Sequence, residues 1–253
     1  MKNYAPSPIR ILFLFLTLGL ELDIMSDHVS VLLTRYKELN LQDVLDHERF
    51  NDLALRYVLD AAIAKKALTV EFIQQINALV MKNTGSIYNT VLGEIDASKG
   101  MFRKGNVSAG GSYFPNYDKV ILYTTDLVKR LDDNLQKVQD ADEQLKLSFS
   151  AHFDLVSIHP FCDGNGHTSL LLMNYIQAYH RLPLAIVFKE DKADYYVALQ
   201  ETRKQEDMQV FYNFMFGQYR KQLEQEITSY TEAMSQKIEP KKGKGPAGYS
   251  LFF

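Results

Sequence analysis

The sequence predicts an all-α chain carrying one small β-hairpin, and three observations carry that reading. Apolar residues recur at spacings of three and four along most of the chain, the mark of helices with one buried face. One segment, residues 170–179 (LLLMNYIQAY), is apolar almost all round and belongs at the centre of the helices. Residues 100–123 instead set short aromatic and β-branched runs on either side of Gly110-Gly111, which is a hairpin pattern.

Taken in order, the chain opens with Lys2 and Arg10 ahead of an apolar run, Ile11 to Leu20, which Glu21 and Asp23 follow. That run is about half the ~20 residues needed to span a bilayer. It reads either as a signal-peptide core or as a helix packed on the main domain. Its only small-residue cleavage pattern, Thr17-Leu-Gly19, is poor, which favours the packed helix. Asp27 to Leu39 and His47 to Ala67 read as helices, the second with Leu53, Leu55, Tyr57, Val58, Ala61 and Ala62 on its apolar face. Thr69 suits the cap of the next helix, Val70 to Met81, because its hydroxyl can accept from a free amide of the first turn. Phe72, Ile76, Leu79 and Val80 form that helix's core stripe, and Asn83-Thr-Gly-Ser86 breaks the pattern.

Beyond the hairpin, Asp126 to Leu135 is helical. Gln139-Asp-Ala-Asp142 opens a helix running to His159, with Leu145, Phe149, Phe153 and Val156 on one face. His152 on this helix reads as a core or surface histidine, because no metal-ligand set surrounds it in the sequence. Leu182-Pro-Leu ends the central helix, and Lys192 to Glu201 and Val210 to Tyr230 close the fold. Lys237 to Gly248 is basic, rich in glycine and proline, and reads as disordered.

The 253 residues suit one domain with an appended segment, and 46% apolar content supplies an ample core. A net charge of −3 gives no general attraction to nucleic acid, and no membrane partner is expected. The single cysteine, Cys162, fits a reducing compartment and points to the cytoplasm, with export the alternative if residues 1–20 are a signal peptide.

Chemistry concentrates in His159-Pro-Phe-Cys-Asp-Gly-Asn-Gly-His167, between the two most apolar helices. Gly164 and Gly166 bracket Asn165 at a helix start, where unpartnered amides and close backbone approach suit an anion. His159 adds a possible base and Asp163 a possible magnesium ligand. Cys162 reads as a packing residue. This stretch resembles the signature of the Fic family: His, usually Pro, Phe, any residue, Asp or Glu, Gly, Asn, Gly, Arg, two residues, Arg. His159, Pro160, Phe161, Asp163, Gly164, Asn165 and Gly166 match it, whereas His167 and Leu170 occupy the places of the two arginines.

The resemblance implies a mainly helical Fic fold with a hairpin flap. It divides the chain into an N-terminal helical segment, 1–69, a Fic core, 70–220, and a helix end with a flexible basic tail, 221–253. It implies transfer of AMP from ATP to a hydroxyl of a target protein. His159 would be the base and Asp163 the ligand of Mg2+. Gly164, Asn165, Gly166 and His167 would bind the nucleotide phosphates, with Asn165 able to donate from its side chain as well. Gly100-Met-Phe-Arg103 matches the segment leading into the flap, whose Tyr113 and Phe114 would hold the target. Thr17 and Glu21 resemble the inhibitory segment that precedes many Fic cores. Two other readings stay open, a non-catalytic nucleotide-binding regulator and altered chemistry with another phosphate donor. Target identity and oligomeric state are not set by the sequence.

Overall fold

The computed structural model describes residues 27–39, 53–109 and 112–238. Within these residues lie eight α-helices: α1 (27–38), α2 (Leu53–Ile63), α3 (Val70–Val80), α4 (Val120–Leu135), α5 (Ala141–Ile158), α6 (Asn165–Tyr179), α7 (Lys192–Gln205) and α8 (Met208–Ile238). The expected all-α architecture is therefore present, and so is the hairpin: β3 (Ser108–Ala109) pairs antiparallel with β4 (Ser112–Tyr113). Thr17, Glu21, the signal-like run, the Gly110-Gly111 turn and the tail beyond residue 238 lie outside the described residues.

α5 and α6 are the spine of the fold. Ala151, Leu155 and Ile158 of α5 join Leu172, Tyr175 and Ile176 of α6 in a cluster closed by α2, α3 and α4. Leu145, Phe149 and Val156 of α5 and Met173 of α6 belong to a second cluster, closed by α1, α7 and α8. Serving two cores at once is why α6 is apolar all round. A fully buried Leu, Ile or Phe contributes about 1.5–3 kcal/mol, so this sharing holds the start of α6 firmly in place. The cap foreseen at Thr69 is present, its hydroxyl accepting from the Phe72 amide at 3.1 Å. Asp140 caps α5 by accepting from the Glu143 amide at 2.9 Å.

Helix ends shift by several residues in α2, α7 and α8, and two elements differ most from the sequence reading. A second hairpin, β1 (Ile87–Thr90) with β2 (Gly93–Asp96), stands where no element was expected. Its strands are short and of their residues only Ile95 is buried, so they carry no apolar alternation to detect. α4 begins six residues before Asp126, at Val120, because Ile121 and Leu122 face solvent and mask its period.

Candidate active site

α5 ends on His159, whose backbone is left-handed (φ 53°, ψ 58°). That conformation costs a residue bearing a Cβ roughly 1–2 kcal/mol, so its surroundings must hold it there. Arg103, 2% exposed, supplies much of that hold. Its Nε donates to the His159 carbonyl at 2.7 Å and Nη1 to the Gly105 carbonyl at 2.8 Å. Its Nη2 reaches the carbonyls of Pro115 and Ile158. One buried guanidinium thus ties the end of α5 to both sides of the β3–β4 flap. The sequence placed Arg103 in the segment leading to the flap but gave it no such role.

The His159 ring is fixed on two sides. Phe114 stacks on it with centroids 3.9 Å apart and planes 17° apart. Its Nδ1 lies 3.3 Å from the Val156 carbonyl, which can only accept, so Nδ1 carries the proton and Nε2 presents a lone pair. Burial pushes the His159 pKa below the ordinary histidine value. The Val156 carbonyl and Asp163 oppose that shift, while the Arg103 and Arg203 charges add to it. A lowered pKa keeps the ring neutral near pH 7, the state in which it can take a proton.

The turn beyond is closed by side chains that bond to its backbone. Phe161, 1% exposed, anchors it against Phe102, with ring centroids 5.3 Å apart. Asn165 closes it: its Oδ1 accepts from the Phe161 amide and its Nδ2 donates to the Phe161 carbonyl, both at 2.9 Å. The Asn165 side chain, expected also to donate toward a phosphate, is turned inward and 3% exposed. From α3, buried Asn77 donates to the Asp163 carbonyl at 3.0 Å and to the Thr168 hydroxyl at 3.1 Å. No sequence pattern singled out Asn77, which lies among apolar residues of that helix.

Gly164 caps α6 at φ 76°, and a Cβ there would come within 2.8 Å of Asn77 Nδ2 and Met81 Sδ. A Cβ on Gly166 would meet nothing within 4 Å, so its backbone faces open space. Asp163 is exposed, and its Oδ1 accepts from the Gly164 amide at 2.7 Å, which orients the carboxylate. Magnesium commonly takes one or two carboxylates together with substrate phosphates and waters, a donor set that Asp163 alone can begin. Among the described residues no three His, Cys, Asp or Glu side chains converge on a metal position. Cys162 has its thiol pKa raised, chiefly by burial, which suits packing and not nucleophilic attack.

Other expected site residues are placed as follows. His167 is half-buried in the first turn of α6, and Leu170 packs against the second core cluster, facing away from chemistry. Tyr113 is 90% exposed at the flap, whereas Phe114 covers the base. Arg203 of α7, absent from the sequence reading, donates to the Ser157 hydroxyl of α5 at 3.2 Å.

A histidine at the end of one helix, stacked under a flap phenylalanine and beside a glycine-bearing turn that starts the next helix, is an arrangement chemically suited to a phosphate-bearing ligand. Residues 67–177 match the family model described as the Fic/DOC family. The chain is similar to protein adenylyltransferase Fic of Drosophila willistoni, 31% identical over 147 residues, covering 57% of this chain and 26% of that protein. It spans about a quarter of the length of that curated relative. The fold is similar to a Fic-domain-containing signalling protein from Bacteroides thetaiotaomicron (20% identity, TM-score 0.60, covering 71% of this chain and 70% of that one). It is also similar to a Fic family protein from Desulfovibrio desulfuricans (19% identity, TM-score 0.56, covering 95% of this chain and 78% of that one).

Proposed function

We propose that this chain transfers AMP from ATP to a hydroxyl side chain of a target protein. The observation that carries the proposal is the His159 ring, fixed by the Val156 carbonyl and Phe114 with Nε2 left to accept a proton, next in the chain to the turn that starts α6. The acceptor hydroxyl gives its proton to Nε2 as its oxygen bonds to the α-phosphorus of ATP. The bond from that phosphorus to the bridging oxygen breaks, and pyrophosphate leaves. Backbone amides at the start of α6, with Gly166 the most open, face the oxygens on which negative charge grows. Magnesium, held through Asp163, would neutralise charge on the nucleotide phosphates. The exposed edge of the flap near Tyr113 suits an extended segment of the target, added as a further strand. The one cysteine supports a reducing compartment such as the cytoplasm, and among the described residues no helix is long and apolar enough to cross a membrane.

A second reading, nucleotide binding without transfer, draws on His167 and Leu170, neither of which offers a bidentate guanidinium fork. One experiment separates the two. With labelled ATP and cell lysate, the wild type should label protein, and His159→Ala should lower labelling by at least a hundredfold. ATP affinity should stay within about threefold, since His159 acts on the acceptor. Equal labelling by His159→Ala would remove the histidine from the reaction. ATP binding without labelling in the wild type would favour the binding module.

A further inference from the structure

We propose that Arg203, from α7, clamps the phosphates of the donor in place of the two arginines that the signature sets at positions 167 and 170. The proposal rests on the nucleotide-handling reading above. Among the described residues Arg203 meets no carboxylate within ion-pair distance; its polar contacts are neutral hydroxyls, Ser157 at 3.2 Å and Ser112 at 3.5 Å. A guanidinium has five N–H donors in a planar fork, so most of this one's capacity is unspent. The rest of its setting is aromatic: the guanidinium lies 5.8 Å from the Phe114 ring centre and 5.7 Å from that of Phe153. Burial depresses its pKa, which reports a cation partly stripped of water without a fixed anion to compensate. Such a charge is costly to keep unless an anion arrives to meet it.

Its position says which anion. Phe114 is the ring that stacks on His159 at 3.9 Å, so Arg203 shares an aromatic layer with the base. Its charge already reaches the His159 imidazole and adds to the lowering of that ring's pKa. A ligand whose reacting phosphorus stands before Nε2 therefore has its charge within the field of Arg203. Leu170, which the signature would make an arginine, belongs instead to the apolar cluster that also holds Phe153 and Tyr195. Arg203 rides over Phe153 of that same cluster. The proposed cation thus comes from α7, where the signature would set it on α6.

The test titrates the full chain by calorimetry with two probes, each with magnesium: ATP and inorganic tripolyphosphate. Arg203→Gln should weaken both by at least tenfold, the scale of one charge-assisted bond, and should flatten the salt dependence of binding. Arg203→Lys, which keeps the charge and the stem but not the fork, should lose about three- to tenfold for ATP. Should Arg203→Gln fail to fold, the lysine variant carries the test, and unchanged ATP affinity there overturns the proposal. Wild-type affinity for ATP in a folded Arg203→Gln overturns the role of Arg203 while leaving nucleotide binding intact. Tripolyphosphate binding that depends on Arg203, without any ATP binding, keeps Arg203 as a phosphate ligand and removes the nucleotide reading. A wild type that binds neither probe removes both.

Discussion

Gly164 and Gly166 look alike in the sequence, yet the structure gives them separate work. Gly164 is left-handed and pressed against Asn77 and Met81, so Gly164→Ala adds a strained backbone and two contacts at 2.8 Å. The expected loss is about 2–4 kcal/mol, or roughly 5–15 °C in Tm for a chain of this size. At Gly166 a methyl group meets open space, and alanine suits a helix better than glycine. Gly166→Ala should keep or raise Tm while lowering ATP affinity, because the methyl stands where a phosphate would approach. Thermal unfolding and calorimetry on the two variants check this. Loss of stability in both, with equal ATP affinity, would mean that the open space at Gly166 is not the phosphate site. The candidate loop of His159, Asp163 and the glycines was legible in the sequence because its residues lie together at a recognisable spacing. The contacts of Asn77, Arg103 and Arg203 were not, because each reaches the site from a part of the chain remote in sequence. Only packing brings them there.

Among the elements, α5 and α6 were the most legible, since long apolar periods leave little choice of conformation. The short β1–β2 pair was the least, having almost no buried face. α5 also buries a titrating group. His152 is fully buried, its Nε2 lies 2.9 Å from the Tyr195 hydroxyl, and burial lowers its pKa to about 4. In the unfolded chain the same ring titrates near ~6.5. The unfolded state therefore binds more protons between those two values. Stability is fully present above about pH 6.5 and falls as pH drops toward 4, by roughly 3 kcal/mol for this group. His180, also lowered to about 4 by burial and by the Lys65 charge, adds to the same window but is partly solvated. Denaturant melts from pH 7.5 to 4 should show this slope. His152→Phe should flatten it, at the cost of an unpartnered Tyr195 hydroxyl of about 1–3 kcal/mol at neutral pH. An unchanged slope in His152→Phe would assign the acid sensitivity to other groups.

At the scale of the whole molecule, the flap and the base behave as one body because a single side chain joins them. Arg103 bonds to carbonyls at Ile158 and His159 on one side and at Gly105 and Pro115 on the other. Phe114 on His159 and Ser112 with Arg203 extend the same seam. Under the proposed function, a target strand docking on the flap would push on residues that Arg103 bonds to the His159 backbone. Lysine at this position keeps the charge, but one ammonium cannot serve four carbonyls in a plane. Buried acceptors left without donors cost about 1–3 kcal/mol each, so Arg103→Lys should lower stability by about 3 kcal/mol. The more specific expectation concerns where the protein loosens. Amide exchange should quicken together in residues 104–116 and 158–166, the two sides of the seam, while α2 and the middle of α6 stay protected. Turnover should fall at least tenfold with ATP affinity held within about threefold, because the base is misplaced and the phosphate turn is still held by Asn77 and Asn165. Faster exchange in the flap alone, with turnover unchanged, would show that the base is held by Phe114 and its own turn without Arg103.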